Sequence, residues 1–265
     1  MNYHTEADSA PVKLELRSIG KTYDIGGQTA EVLSGIDLTV RDKQFVSVVG
    51  PSGSGKSTLF YIIGGLTPPT TGTVWLDGRD VTGRRGLISY MPQHDSMFPW
   101  RTVLDNVILS QEIAGVPKAE ARRTAAEWLH RVGLGGYEGA LPHQLSGGMR
   151  QRASFLRALL SPRELMCLDE PFGALDALTR LDMQQWLLRM WEETRRSVLF
   201  VTHSIEEALL LSDRVYVLAG RPAVVADVVD VPFGRPRDET VTSERAFLDL
   251  KKRIYETLRG GRLHV

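Results

Sequence analysis

Cysteine is nearly absent. Cys167 is the single one in 265 residues, so no disulfide can close within the chain, which fits a reducing compartment. Its apolar flanks, Leu165-Met166 and Leu168, predict a small buried hydrophobe rather than a reactive thiol. Excess charge is absent too. The 32 Lys+Arg balance the 32 Asp+Glu, which gives no support for a nucleic-acid partner gathered by bulk charge. No apolar run approaches the length of a membrane span. Residues 1–11 lack the apolar segment of a secretory signal and read as a polar tail. There is no internal repeat and no low-complexity segment. What remains is 42% hydrophobic and 24% charged, enough for the core of one large domain or two small ones.

Against that background one stretch stands out. Gly50-Pro51-Ser52-Gly53-Ser54-Gly55-Lys56-Ser57-Thr58 fits G-x-x-x-x-G-K-[ST], the phosphate-binding P-loop. Gly50, Gly53 and Gly55 let the backbone bend and approach a polyphosphate without a Cβ in the way. Successive N–H groups then form an anion nest. Lys56 supplies a point charge for the β- and γ-phosphates, and Ser57 offers a hydroxyl to Mg²⁺. Phe45–Val49 reads as the strand before the loop, and Leu59–Ile63 as a helix after it, whose N-terminus favours anions.

The rest of the chain is read around this loop. Val12–Leu16, Val32-Leu33 and Ile36–Val40 predict strands of an early antiparallel section, with a turn at Ile25-Gly26-Gly27. Thr73–Leu76 and Leu87–Met91 predict further strands. From Val103 to Leu160 the texture is helical and reads as an inserted helical subdomain. Strand signals return at Leu165–Leu168, Val198–Val201, Val215–Leu218 and Val224–Val229, with helical segments between the first of them, as parallel βα units require. Ala246–Leu258 predicts a terminal helix. The fold class is therefore α/β. It combines a P-loop NTPase core, built on a mixed sheet with an N-terminal antiparallel β section, with the inserted helices.

Two further constellations bear on chemistry. Leu165–Leu168 ends in Asp169-Glu170, and acids at the C-terminal end of a strand lie where open α/β sheets bind ligands. Beside a P-loop, Asp169 suits a second handle on Mg²⁺, and Glu170 suits a general base acting on water. The alternative is a pair capping the next helix. Leu145–Arg152 contains Ser146-Gly147-Gly148 ahead of an apolar run. Ser146 suits a helix N-cap, and two glycines behind it leave N–H groups bare for a phosphate. Tyr23 stands just before the early turn; spacing alone favours packing on the sheet over stacking on a base.

The P-loop, Gln93, Leu145–Arg152, Leu165–Glu170, Ala174-Leu175-Asp176 and His203 occur in the order of an ABC transporter ATPase subunit, which the chain resembles from residue 12 to about 220. The resemblance implies one ABC ATPase domain over residues 12–265. Its helical subdomain would span about 94–162 and its C-terminal helix about 243–259. It implies two copies facing head to tail with ATP and Mg²⁺ between them. Ser146, Gly147 and Gly148 would contact the γ-phosphate held by the partner's Lys56. Gln93 would touch Mg²⁺ and link the site to a membrane permease. Asp176 would lie at the seam between copies. Tyr23 would stack on adenine, which reverses the preference from spacing. His203 would meet the γ-phosphate, where without the family a cap on the following helix is the simpler reading. Met149 departs from the commoner Gln.

Met91-Pro92-Gln93, Phe98–Val107, Asp169–Arg180 and Val201–Ala208 resemble the importer ATPases for nitrate, sulfonate and taurine, and those for pyrimidine precursors and osmoprotectants share much of them. This implies a peripheral subunit on the cytoplasmic face of the inner membrane, served indirectly by a solute-binding protein. Met97, Phe98, Pro99 and Trp100 form an apolar run that reads either as a docking surface for a permease helix or as packing inside the insertion. A chromosome-maintenance ATPase would need heptad arms that residues 59–144 lack. A soluble P-loop kinase would not need Ser146-Gly147-Gly148.

Overall fold

The core is set by residues that have no polar face to offer. Phe45–Val49 is five buried residues in a row, and so are Leu165–Asp169 and the six of Ser197–Thr202. Such strands belong in the middle of a parallel sheet covered on both sides. In the computed structural model, which describes residues 10–173 and 175–260, they form that middle. Residues 1–9 of the expected tail, and Ala174 of the Ala174-Leu175-Asp176 motif, lie outside the described residues.

In chain order the strands are β1 (Val12–Ile25), β2 (Gln28–Arg41), β3 (Phe45–Val49), β4 (Thr71–Leu76), β5 (Arg79–Asp80), β6 (Ser89–Met91), β7 (Leu165–Asp169), β8 (Ser197–Thr202), β9 (Arg214–Ala219) and β10 (Val224–Asp230). The helices are α1 (Lys56–Ile63), α2 (Val103–Val107), α3 (Leu109–Ile113), α4 (Lys118–Arg131), α5 (Gly147–Leu159), α6 (Ala177–Thr194), α7 (Ile205–Leu211) and α8 (Arg245–Gly260). One sheet is antiparallel in the order β2-β1-β4-β5; the other has the order β10-β9-β3-β8-β7-β6. In the second, β9, β3, β8, β7 and β6 run parallel, and β10 joins antiparallel at one edge. The P-loop after β3 thus opens at the same sheet end as Asp169 on β7 and Thr202 on β8, where open α/β sheets bind ligands.

Two core clusters flank the parallel sheet. Leu59, Phe60, Ile62 and Ile63 of α1 pack with the antiparallel sheet on one side. Helices α2, α4, α5 and α6 share the other cluster with the sheet. Two early expectations change here. The segments Val12–Leu16, Val32-Leu33 and Ile36–Val40 belong to two 14-residue strands. Leu87-Ile88 precede β6 rather than opening it, since pairing with β7 begins at Ser89. The apolar run also divides. Met97 is 8% exposed and sits in the core, whereas Trp100 is 74% exposed and stacks on Phe98 at 5.2 Å. Packing of Trp100 inside the insertion is therefore corrected, and so is the inclusion of Met97 in a docking surface.

Candidate functional site

The loop at the end of β3 has glycine where a side chain will not fit. A Cβ on Gly50 would lie 2.7 Å from Ser54 Oγ and 3.0 Å from Leu218 O. Gly55, at φ 83°, is the N-cap of α1, and its Cβ would strike Leu33 and Val32. No side chain caps α1, so its first N–H groups are left to an anion.

Lys56 opens α1 and is 5% exposed. Its Nζ donates to Gly50 O and Pro51 O, both at 2.9 Å, and lies 3.6 Å from Glu170 Oε1. Burial pushes its pKa down, and the Glu170 and Asp169 charges pull it back up. Glu170 follows β7 with a left-handed backbone, φ 44°, fixed by its N–H donating to Val201 O at 2.9 Å. That conformation is uncommon for a non-glycine residue and clusters at functional sites. Its carboxylate gathers three predicted residues. Lys56 faces Oε1, Gln93 Nε2 donates to Oε2 at 3.4 Å, and His203 Nδ1 lies 3.1 Å from the same oxygen.

Asp169 is 3% exposed. Tyr90 Oη donates to its Oδ2 at 3.3 Å, while Oδ1 is buried without a hydrogen-bond partner. Burial raises its pKa, against the Ser57 and Tyr90 hydroxyls and the Lys56 charge. Among the described residues, no group of three or more His, Cys, Asp or Glu is assembled to hold a metal. The orphaned Oδ1, with the Ser57 hydroxyl beside Asp169 and Gln93 lining the same cleft as Ser57, fits Mg²⁺. This hard cation takes oxygen ligands, keeps waters, and shares one or two carboxylates with substrate phosphates.

A cleft of about 310 Å³ lies over the loop, lined by Ser52, Gly53, Gly55, Lys56, Ser57, Thr58, Gln93 and Glu170. Val32 also lines it, a residue the sequence does not single out. Gly50, Pro51 and Ser54 build the loop beneath. The other expected residues stand apart from the cleft. Ser146 caps α5, accepting from Met149 N at 3.3 Å, and Ser146 and Gly147 are exposed. Gly148 abuts Thr179, where a Cβ would come within 2.9 Å of Cγ2. Asp176 is the exposed N-cap of α6. Tyr23 is half-buried on β1, with Lys21 Nζ 4.9 Å above its ring.

Two bland readings fall. The helix after His203 is capped by Ser204, whose Oγ accepts from Glu207 N at 3.3 Å, so His203 is not its cap. The helix after Glu170 begins at Ala177 with Asp176 as its cap, so Asp169 and Glu170 are not a capping pair. Tyr90 was missed because nothing local marks it; it reaches Asp169 only through the β6–β7 pairing.

Comparison with known proteins points one way. A family model described as "ABC transporter" matches residues 33–173. The formylaminopyrimidine import ATP-binding protein ThiZ of Halalkalibacterium halodurans is 45% identical over 85% of this chain and 89% of its own. The taurine import ATP-binding protein TauB of Rhizobium johnstonii is 42% identical over 86% of this chain and 89% of its own. An ATP-binding cassette solved as a dimer in a post-hydrolysis state, bound to ADP and Pi, superposes with a TM-score of 0.72. It is 31% identical and covers 83% of this chain and 100% of that one.

Proposed function

The chain belongs to the ABC transporter family of ATP-binding proteins and is an ATPase, and from that premise we propose that it is the motor subunit of an importer. In this reading two copies face head to tail, and each cleft is completed by Ser146, Gly147 and Gly148 of the other copy. The P-loop N–H groups and Lys56 hold the phosphates, with Tyr23 stacked on the adenine. Ser57, Asp169 and Gln93 would hold Mg²⁺, which when bound neutralises phosphate charge and orients the β- and γ-groups. Glu170 takes a proton from the attacking water as the bond to the β–γ bridging oxygen breaks. His203 holds Glu170 and meets the γ-phosphate, and Asp176 lies at the seam.

Among the described residues no helix is long and apolar enough to cross a membrane. In this reading, supported by the import names of the relatives, the motor works through a permease from the cytoplasmic face, and a solute-binding protein delivers the cargo. Phe98 and exposed Trp100 are aromatic anchors of the kind an interface uses. The cargo reading is the nitrate, sulfonate and taurine class, supported by the taurine relative. The formylaminopyrimidine relative supports a second reading, a pyrimidine precursor.

The observation that carries the mechanism is the Glu170 carboxylate, within reach of Lys56, Gln93 and His203 at once. Glu170→Gln keeps the shape and loses the basicity. Binding of MgATP should survive while turnover falls by about 10²–10⁴-fold, the usual scale of general-base catalysis. Equilibrium nucleotide binding beside steady-state ATPase rates checks this. A variant that hydrolyses ATP at the wild-type rate would remove Glu170 from the role.

A further inference from the structure

Glu207 is a carboxylate only 8% exposed on α7, one turn past His203, and the site described above leaves it unused. Its Oε2 accepts from Thr202 Oγ1 at 2.6 Å, and its Oε1 accepts from Gln184 Nε2 at 3.1 Å. Thr202 is 1% exposed at the end of β8, and its hydroxyl oxygen accepts from Ser204 N at 3.0 Å. The hydroxyl thus brackets His203 on both sides. Because the carboxylate takes the hydroxyl proton, the oxygen lone pairs are turned toward the Ser204 N–H. Gln184 lies on α6, one turn beyond Arg180, whose guanidinium donates to Leu175 O at 3.0 Å. Burial pushes the Glu207 carboxyl up, and the Thr202 and Gln184 hydrogen bonds and the Arg180 and His203 charges pull it down.

Ser204 Oγ accepts from the Glu207 N–H, whereas the Glu207 carboxylate, at the third position of α7, reaches the Ser204 N–H only through the Thr202 hydroxyl, so its contact runs through the residues on either side of His203. A buried carboxylate is also costly next to an apolar residue of similar size. We propose that Glu207 is a positioning residue for ATP turnover: through Thr202 it fixes the turn that carries His203, and through Gln184 it ties that turn to α6. His203 is thereby held against Glu170. The proposal rests on the reading of Glu170 and His203 given above.

The test is a double-mutant cycle on steady-state ATPase activity. A misplacement of about 1 Å can cost roughly 100-fold in rate. Glu207→Ala should therefore lower kcat by about 10–100-fold and leave KM for MgATP near the wild-type value. Glu207→Gln should recover most of that loss, because the Gln184 amide can turn its oxygen toward the new donor. In a His203→Ala background, Glu207→Ala should have little further effect, since residues acting through one another are not additive. A merely structural role would give additive losses. If Glu207→Ala does not fold, Thr202→Val replaces it in the cycle, with the same non-additivity expected. Additive losses, or a rise in KM at unchanged kcat, overturn the proposal and leave the site reading standing. His203→Ala with wild-type kcat would sink the site reading and the proposal with it.

Discussion

Asp169 holds its charge in an unfavourable place. It is 3% exposed, its Oδ1 has no hydrogen-bond partner, and burial raises its pKa above the 3.8 of an ordinary aspartate. A group whose folded-state pKa is raised opposes folding while it is ionised. The penalty is full at neutral pH, fades as pH falls through the folded-state value, and vanishes below the unfolded one. Asp169→Asn should therefore stabilise the nucleotide-free protein at pH 7, and the gain should shrink on acidification. Each ~1 kcal/mol relieved raises Tm by roughly 2–4 °C in a chain of this size. Thermal melts of both proteins from pH 7 down to pH 4 measure it. An Asn variant melting at or below the wild type at pH 7 would show that the buried charge is fully compensated.

At the scale of elements, the segment after β6 is fastened to α5. Arg157 donates to Asp95 O at 2.7 Å and Ser96 O at 2.9 Å, Ser154 Oγ donates to Asp95 O at 2.9 Å, and Arg150 Nε donates to Asp95 Oδ2 at 3.0 Å. Gln93 and the helix that begins behind Ser146 are thus parts of one mechanical unit. Arg157→Met keeps the stem and removes the donors. It should lower the unfolding free energy by about 2–3 kcal/mol, the scale of hydrogen bonds to a charged group. It should also loosen residues 93–97 in hydrogen exchange while MgATP affinity changes little. Unchanged exchange in that segment would mean that Ser154 and Arg150 suffice to hold it.

None of these bonds is legible in the sequence, because their partners lie dozens of residues apart. The P-loop and the helix cap at Ser146 were legible because each is one contiguous turn. The long hairpin was half legible. Ser18 at φ 49° and Gly35 at φ 55° accompany shifts in the β1–β2 register, which break the alternation of two and split one strand into short signals. Glu207 was legible only as one residue of the Val201–Ala208 stretch, since its partner Gln184 comes from another helix and meets it only after folding.

On the scale of the whole molecule, the exposed Ser146 lies apart from the cleft of its own chain. If a second copy completes the cleft, each site takes its P-loop and its Ser146 from different chains, and a two-fold dimer has two such sites. Lys56→Ala and Ser146→Arg should each silence the homodimer. In an equimolar mixture, half the dimers pair the two variants and hold one intact site of two, so about a quarter of wild-type activity should return. Cooperation between sites would lower that figure. ATPase measurements on co-refolded subunits test it, and a mixture as inactive as its components would argue for sites within single chains.

The sheet order has one more consequence, in time rather than space. β3 pairs only with β8 and β9, which leave the ribosome roughly 150 residues later. At about 5–20 residues per second, the P-loop strand waits on the order of ten to thirty seconds for its neighbours. Throughout that interval Phe45–Val49, wholly apolar but for Ser47, has both edges unpaired. The nascent chain is therefore most prone to stick to its fellows until β8 and β9 emerge.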